Sequence, residues 1–196
     1  MASHTVSMTD THTGGVPGSK LTAYMSAHVD SPLNTKYGDE VEQKYTDHAQ
    51  IVADAIKAGG VTVRPEPGSK PLPVGGKEWY GLGGAADPRT GEPANPKTIS
   101  TKQFGNSDAL EHVLDVEGQN IDRKAGNTTT GKAWPAAYVG GWESGGNSVL
   151  DTSSVFKSRD VAMKYARKRP FEEAVFDAKN IEDIPNPAWN GKVRGQ

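Results

Sequence analysis

Between Arg64 and Thr98 the chain places seven prolines and seven glycines in 35 residues. Proline fixes φ and removes a backbone donor, while glycine makes any regular element costlier to order. No regular element is expected to survive that density, so folded parts should lie on either side of it. A loop of this length is uncommon inside a compact domain and is usually functional, a linker or disordered. Its middle carries Trp79, Tyr80 and Leu82 among glycines. Such apolar anchors suit an extended arm laid across another surface.

The chain is also short of core. Leu, Ile, Val and Phe make up 33 of 196 residues, a level usual for disordered chains. Charge-driven disorder is not indicated, however, because the net charge is only -2. The expectation is one or two small cores with long loops around them. No stretch reaches the 18 apolar residues of a membrane helix, and residues 1–20 lack the apolar stretch of an export signal, so a soluble protein that stays where it is made is expected. Without cysteine, disulfides and thiolate metal sites are excluded. The near balance of 22 basic and 24 acidic residues provides no field for non-specific binding of duplex nucleic acid.

The clearest periodic signal starts at Asp39, where Val41, Tyr45, Ala49, Val52 and Ile56 recur at helical spacing. It predicts an amphipathic helix closed by Gly59 and Gly60, then a brief strand over 61–63. A short strand is expected earlier, over 21–29. Residues 1–20 are polar and read as a flexible or partner-ordered arm. Asn106 or Ser107 can cap a second helix carrying Leu110, Val113, Leu114 and Ile121, which Gly118 should weaken or end. Strands are expected at 136–142, 148–156 and 173–178, with a glycine turn between the first two and a helix capped by Ser158 before the third. The fold class is therefore α+β, with a small ββαβ C-terminal unit, an N-terminal amphipathic helix with short strands, and long Gly/Pro-rich extended loops. The divisions are an arm at 1–20, a strand-helix-strand unit at 21–63, an extended arm at 64–106, a helix and linker at 107–135, the ββαβ module at 136–187 and a tail at 188–196.

Motif by motif, chemistry is thin. Gly126–Lys132 approaches a phosphate-binding loop, but Ala133 stands where a Ser or Thr is needed and Trp134-Pro135 follows in place of a helix. The glycines at 81, 83 and 84 run into Asp87-Pro88, so no helix receives a pyrophosphate. The histidines lack the i, i+4 spacing of a zinc helix. Neither a cofactor nor a metal nor a catalytic residue is assigned. The basic run Arg159, Lys164, Arg167, Lys168 and Arg169 reads as a solvated helix face. Four tryptophans are generous for so little leucine, and aromatic residues dominate interfaces. Trp79, Tyr80, Leu82, Trp134, Trp142 and Trp189 are therefore the interface candidates.

One framework is familiar. Tyr138-Val-Gly140-Gly141-Trp142, Val149-Leu150-Asp151-Thr152-Ser153, Val155-Phe156, Ser158-Arg159-Asp160, Ala162, Tyr165-Ala166, Arg169 and Ala174-Val175-Phe176-Asp177 follow one another in it. This pattern, over residues 136–184, resembles a small accessory module of actinobacterial phage and prophage-related proteins. It covers a quarter of the chain and rests on hydrophobic positions. The resemblance implies a virion-associated, non-enzymatic structural or accessory protein of the capsid, head-tail joint or tail. Its partners would be other virion proteins, in a symmetric homo-oligomer or a capsid or tail lattice. Ordering extended arms costs about 1 to 2 kcal/mol per residue in backbone entropy, which a large symmetric partner could offset. The rival expectations are a phage-encoded enzyme or effector acting on a host component, with His28, Asp30 and His48 as its polar cluster, and a small inhibitor of a host factor.

Overall fold

The computed structural model describes residues 38–192, with side chains from residue 42 onward. The arm at 1–20, the strand expected at 21–29, His28, Asp30 and the last four residues lie outside the described residues.

The predicted stripe forms helix α1 (Gly38–Lys57), which buries Tyr45, Ala49, Val52 and Ile56. Gly59, at φ 134°, turns the chain into β1 (Gly60–Val63). Two strands then arise where none was expected, β2 (Tyr80–Leu82) and β3 (Lys97–Ser100). Helix α2 (Asn106–Ala125) is entered through Gly105, whose N–H donates to the Asp108 carboxylate at 3.1 Å. Gly118 neither weakens nor ends it. The helix runs two more turns to Gly126, which closes it in the left-handed conformation at φ 78°. The hairpin β4 (Tyr138–Ser144) and β5 (Asn147–Phe156) turns at Gly145-Gly146, both at positive φ as a tight two-residue connection requires. Helix α3 (Arg159–Ala166), β6 (Ala174–Asp177) and β7 (Glu182–Pro185) complete the described chain.

All strand pairs are antiparallel and join one seven-stranded sheet in the order β1-β4-β5-β2-β6-β7, with β3 on the first half of β5 across from β4. The fold is α+β, as expected. The ββαβ module exists as an order of elements along the chain, but its pairing is different: β6 joins β2 and β7, not β4 or β5. Strand β2, from the segment expected to be an arm, fills the gap between β5 and β6.

That segment is fastened along its length. Leu72 N–H donates to Thr62 O (2.8 Å), which blunts the outer edge of β1. Gly75 N–H reaches Ala178 O (2.7 Å), Ala178 N–H returns to Trp79 O (3.1 Å), and Ala85 N–H donates to Thr152 O (2.7 Å). The expectation that proline and glycine forbid regular structure from residue 64 to 98 is corrected on a physical ground. A three-residue strand with glycine only at its centre needs few donors, and the prolines fall outside it.

Two cores result. The larger lies between α1, α2 and the β1-β4-β5 strands, around Val52, Ile56, Leu110, Val113, Val139 and Leu150. The smaller gathers Tyr80 and Leu82 of β2 with Ala162 and Ala166 of α3, Val175 and Ile184. Asn186 locks the end of α3: its buried amide nitrogen donates to the carbonyls of Ala166 (2.9 Å), Arg169 (3.1 Å) and Glu172 (2.8 Å). Helix α1 sits so close to β4 that a Cβ on Gly141 would come within 2.5 Å of the Ile56 side chain and 2.8 Å of Val149 O. Gly141→Ala is therefore expected to cost about 1 to 3 kcal/mol by overpacking. Leu82→Ala should cost roughly 2 to 5 kcal/mol by opening a cavity. Urea unfolding followed by tryptophan fluorescence checks both, and an unchanged midpoint for Leu82→Ala would show that β2 is not integral to the fold.

Candidate functional site

Helix α2 carries a carboxylate in its apolar stripe. Glu117 stands four residues after Val113 and four before Ile121, so helical geometry turns it toward the packed side of the helix. Facing it are Tyr45 of α1 and Glu66, which follows β1 and opens the turn closed by Ser69 N–H on Glu66 O (3.1 Å). These three groups line a cavity of about 580 Å³ together with Arg64, Asn120, Arg123, Lys124 and Trp134. A volume of this order suits a small molecule or a single long side chain.

The electrostatics are uneven. One carboxylate oxygen of Glu66 and one of Glu117 are buried without a hydrogen-bond partner. Burial, and then the charge of Glu66, push the Glu117 carboxyl up to about 7. The Tyr45 phenol is also driven well upward, by burial first and then by the two glutamates. The cations are directed elsewhere. Arg64 lies 4.9 Å over the Tyr138 ring. The Arg123 guanidinium is buried against the Ala86 carbonyl and Gln119 Oε1, with its Nε unpartnered. Lys124 is exposed. What the cavity offers chemically is a pair of carboxylates, Glu117 with a raised proton affinity, beside an aromatic wall.

A second polar cluster surrounds Gly83 and Gly84, just after β2. Gly84 N–H donates to the buried Asp151 carboxylate at 3.1 Å, and Arg169 Nη1 donates to Gly83 O at 2.7 Å. A Cβ on Gly83 would come within 2.7 Å of Glu172 Oε2 and closer still to Asp151. These groups staple the exit of β2 to β5 and to the end of α3. Arg169 thus leaves the solvated basic stripe, while Arg159, Lys164, Arg167 and Lys168 remain exposed. His112, packed beside this cluster with Nε2 2.9 Å from Asp151 O, has its pKa shifted downward by burial.

The interface candidates separate into three groups. Trp79, Tyr80 and Leu82 are buried by this chain itself. The Trp79 indole donates to Pro73 O at 2.7 Å and packs on Phe176, and Tyr80 OH donates to Glu78 at 3.0 Å. Trp134 is half-buried on the cavity wall, with its indole N–H on Thr130 Oγ1 at 3.0 Å. Trp142 and Trp189 face solvent, 43% and 40% exposed. His48 is buried in the α1 face, with Nε2 2.9 Å from Arg64 O. Gly126–Lys132 is a helix end and closed turn, in which Thr128 Oγ1 donates to Lys132 O at 2.8 Å.

Sequence reasoning missed Tyr45, Glu66, Glu117 and Arg123 as a group. The available signal was Glu117 in a helical stripe otherwise occupied by Val and Ile. No family model, no curated protein and no solved structure matches this chain.

The raised Glu117 carboxyl has a signed consequence for stability. In the unfolded chain it titrates near 4.5, and in the folded one near 7. The folded state therefore binds more protons across that window, and folding stability falls as pH rises through it. Glu117→Gln should remove this loss and leave the variant more stable than the parent at pH 8 but not at pH 4. Urea midpoints at the two pH values provide the measurement. A parent-like fall between them in the variant would assign the pH dependence to other groups.

Proposed function

We propose that this chain is a non-enzymatic structural or accessory protein of an actinobacterial phage particle. It binds neighbouring virion subunits through exposed aromatic residues on its folded body. The observation that carries this reading is the outward placement of Trp142. Its indole is solvent-exposed on β4, which pairs with the outer strand β1 through the Trp142–Gly60 register. Trp189 and Tyr165 are likewise left to solvent. An indole buries a large area on contact and is over-represented among the residues that dominate binding energy. The likeness of residues 136–184 to the phage accessory module supplies the class of partner.

The burial of Trp79, Tyr80 and Leu82 shifts the contact surface in this proposal. The 64–106 segment serves the interior of its own chain, and neighbouring subunits meet the body at its sheet and tail. Quantitative mass spectrometry of particles purified from host cells that make the chain tests this. The chain is expected in washed particles at a copy number set by a symmetry axis. Trp142→Ala is expected to reduce incorporation about tenfold or more, as loss of an anchor worth at least 2 kcal/mol would, with the fold retained. Absence of the parent chain from washed particles would overturn the reading.

A further inference from the structure

We propose that the cavity between Tyr45, Glu66 and Glu117 is a binding site for an organic cation, an ammonium or guanidinium group on an aliphatic stem. This inference stands apart from the particle reading and needs neither exposed tryptophan.

Four features of the cavity argue for that ligand. Two carboxylates from different parts of the chain converge on it, each with a buried oxygen that has no hydrogen-bond partner. Buried unpaired acceptors of this kind are costly, and a cation between them would satisfy both. Tyr45, only 4% exposed, lines the same space, and Trp134 adds an aromatic wall. Aromatic faces attract ammonium and guanidinium groups. Of the described cations on the cavity wall, Arg64 stacks on Tyr138, Arg123 is held by Ala86 and Gln119, and Lys124 is exposed to solvent. The charge that acts on Glu117 is that of Glu66, which raises its proton affinity.

The donor set also discriminates against a metal ion. Calcium and magnesium prefer six or more oxygen ligands, and among the described residues no cluster of three or more acidic or histidine side chains is disposed to hold a metal. A cation that brings its own N–H donors and an apolar stem matches two acceptors and aromatic walls in a space of about 580 Å³. The same chemistry could arrive as a free amine or as a lysine or arginine side chain of another protein.

Calorimetric titration of the full chain separates these cases. The probes are 1,5-diaminopentane, N-acetyl-lysine methylamide and N-acetyl-arginine methylamide, with N-acetyl-norleucine methylamide and N-acetyl-citrulline methylamide as neutral counterparts. Saturable binding of at least one cationic probe is expected, with no binding of the neutral ones. Glu66→Gln and Glu117→Gln should each weaken it at least roughly tenfold, whereas Lys124→Ala should not. Affinity should be greater at pH 8 than at pH 6, because Glu117 must release its proton for the ligand. The groups that bear on that titration are Tyr45 from α1, Glu66 and Arg64 from the β1 end, and Arg123 and Lys124 from α2 itself. Tighter binding of the blocked amino acids would identify a protein side chain as the ligand, and tighter binding of diaminopentane a free amine. Equal binding of neutral and charged probes, or full affinity in both glutamine variants, would overturn the proposal. So would saturable calcium or magnesium binding without any binding of the amines. Near-parent circular dichroism of the isosteric variants keeps a loss of affinity distinct from a loss of fold.

Discussion

Three residues hold the two halves of this molecule together. Strand β2 pairs on one side with the end of β5 and on the other with β6, so neither the hairpin nor the C-terminal β6-β7 pair completes the sheet alone. Its side chains Tyr80 and Leu82 make up part of the core under α3. The strand is short, and its hydrogen bonds alone would stabilise it little. It persists because each flank is fastened: Trp79 by its indole N–H to Pro73, and Gly84 by its backbone to Asp151. Such an insertion raises the sequence distance of the contacts on which the fold depends, since β2 must wait for β5 and β6 to be made.

This explains what could be read ahead and what could not. Helix α1 was legible because five apolar residues recur at helical spacing along almost its whole length. The hairpin was legible because Gly145-Gly146 suits one turn type, and the strands beside it carry the chain's densest apolar sequence. The insertion was not legible. A three-residue strand is shorter than any window in which alternation can be measured, and Trp79-Tyr80-Gly81-Leu82 carries the same apolar signal whether its partner is another protein or a strand more than 70 residues away. Strand β7 was hidden for a related reason, because Pro185 marks an edge position that a proline reading takes for a stop. Gly118 misled in the opposite direction. The cost of one glycine in a helix is about 1 kcal/mol, and the packing of Val113, Leu114 and Val116 exceeds it.

The scarcity of Leu, Ile and Phe is reconciled by the same architecture. A chain with few large apolar side chains can still close two cores if backbone approaches are tight. At Gly141 the strand backbone admits Ile56 directly, and at Gly83 it admits carboxylates. Alanine packs where α3 meets the sheet, at Ala162 and Ala166. Glycine and alanine thus take over part of the work that branched side chains do elsewhere, through short interelement distances and many small contacts. The cost is reduced tolerance, because a single added methyl group at such a point meets fixed backbone.

Against that economy the carboxylate at position 117 stands out. A Val or Leu there would continue the α2 stripe, remove an unpartnered buried oxygen and end the repulsion with Glu66, all in the direction of greater stability. The chain instead turns two carboxylates toward one cavity and surrounds them with Tyr45 and Trp134, while its own arginines bond elsewhere. Local departures of this kind from what packing prefers are where folded chains tend to keep their chemistry. The Asp151–Arg169 cluster shows the contrast within one molecule. There, buried charges meet donors from the backbone and from each other's neighbours, and the result is a staple. At Glu66 and Glu117 the acceptors are buried and the donors are missing, which is the arrangement a cationic ligand would complete.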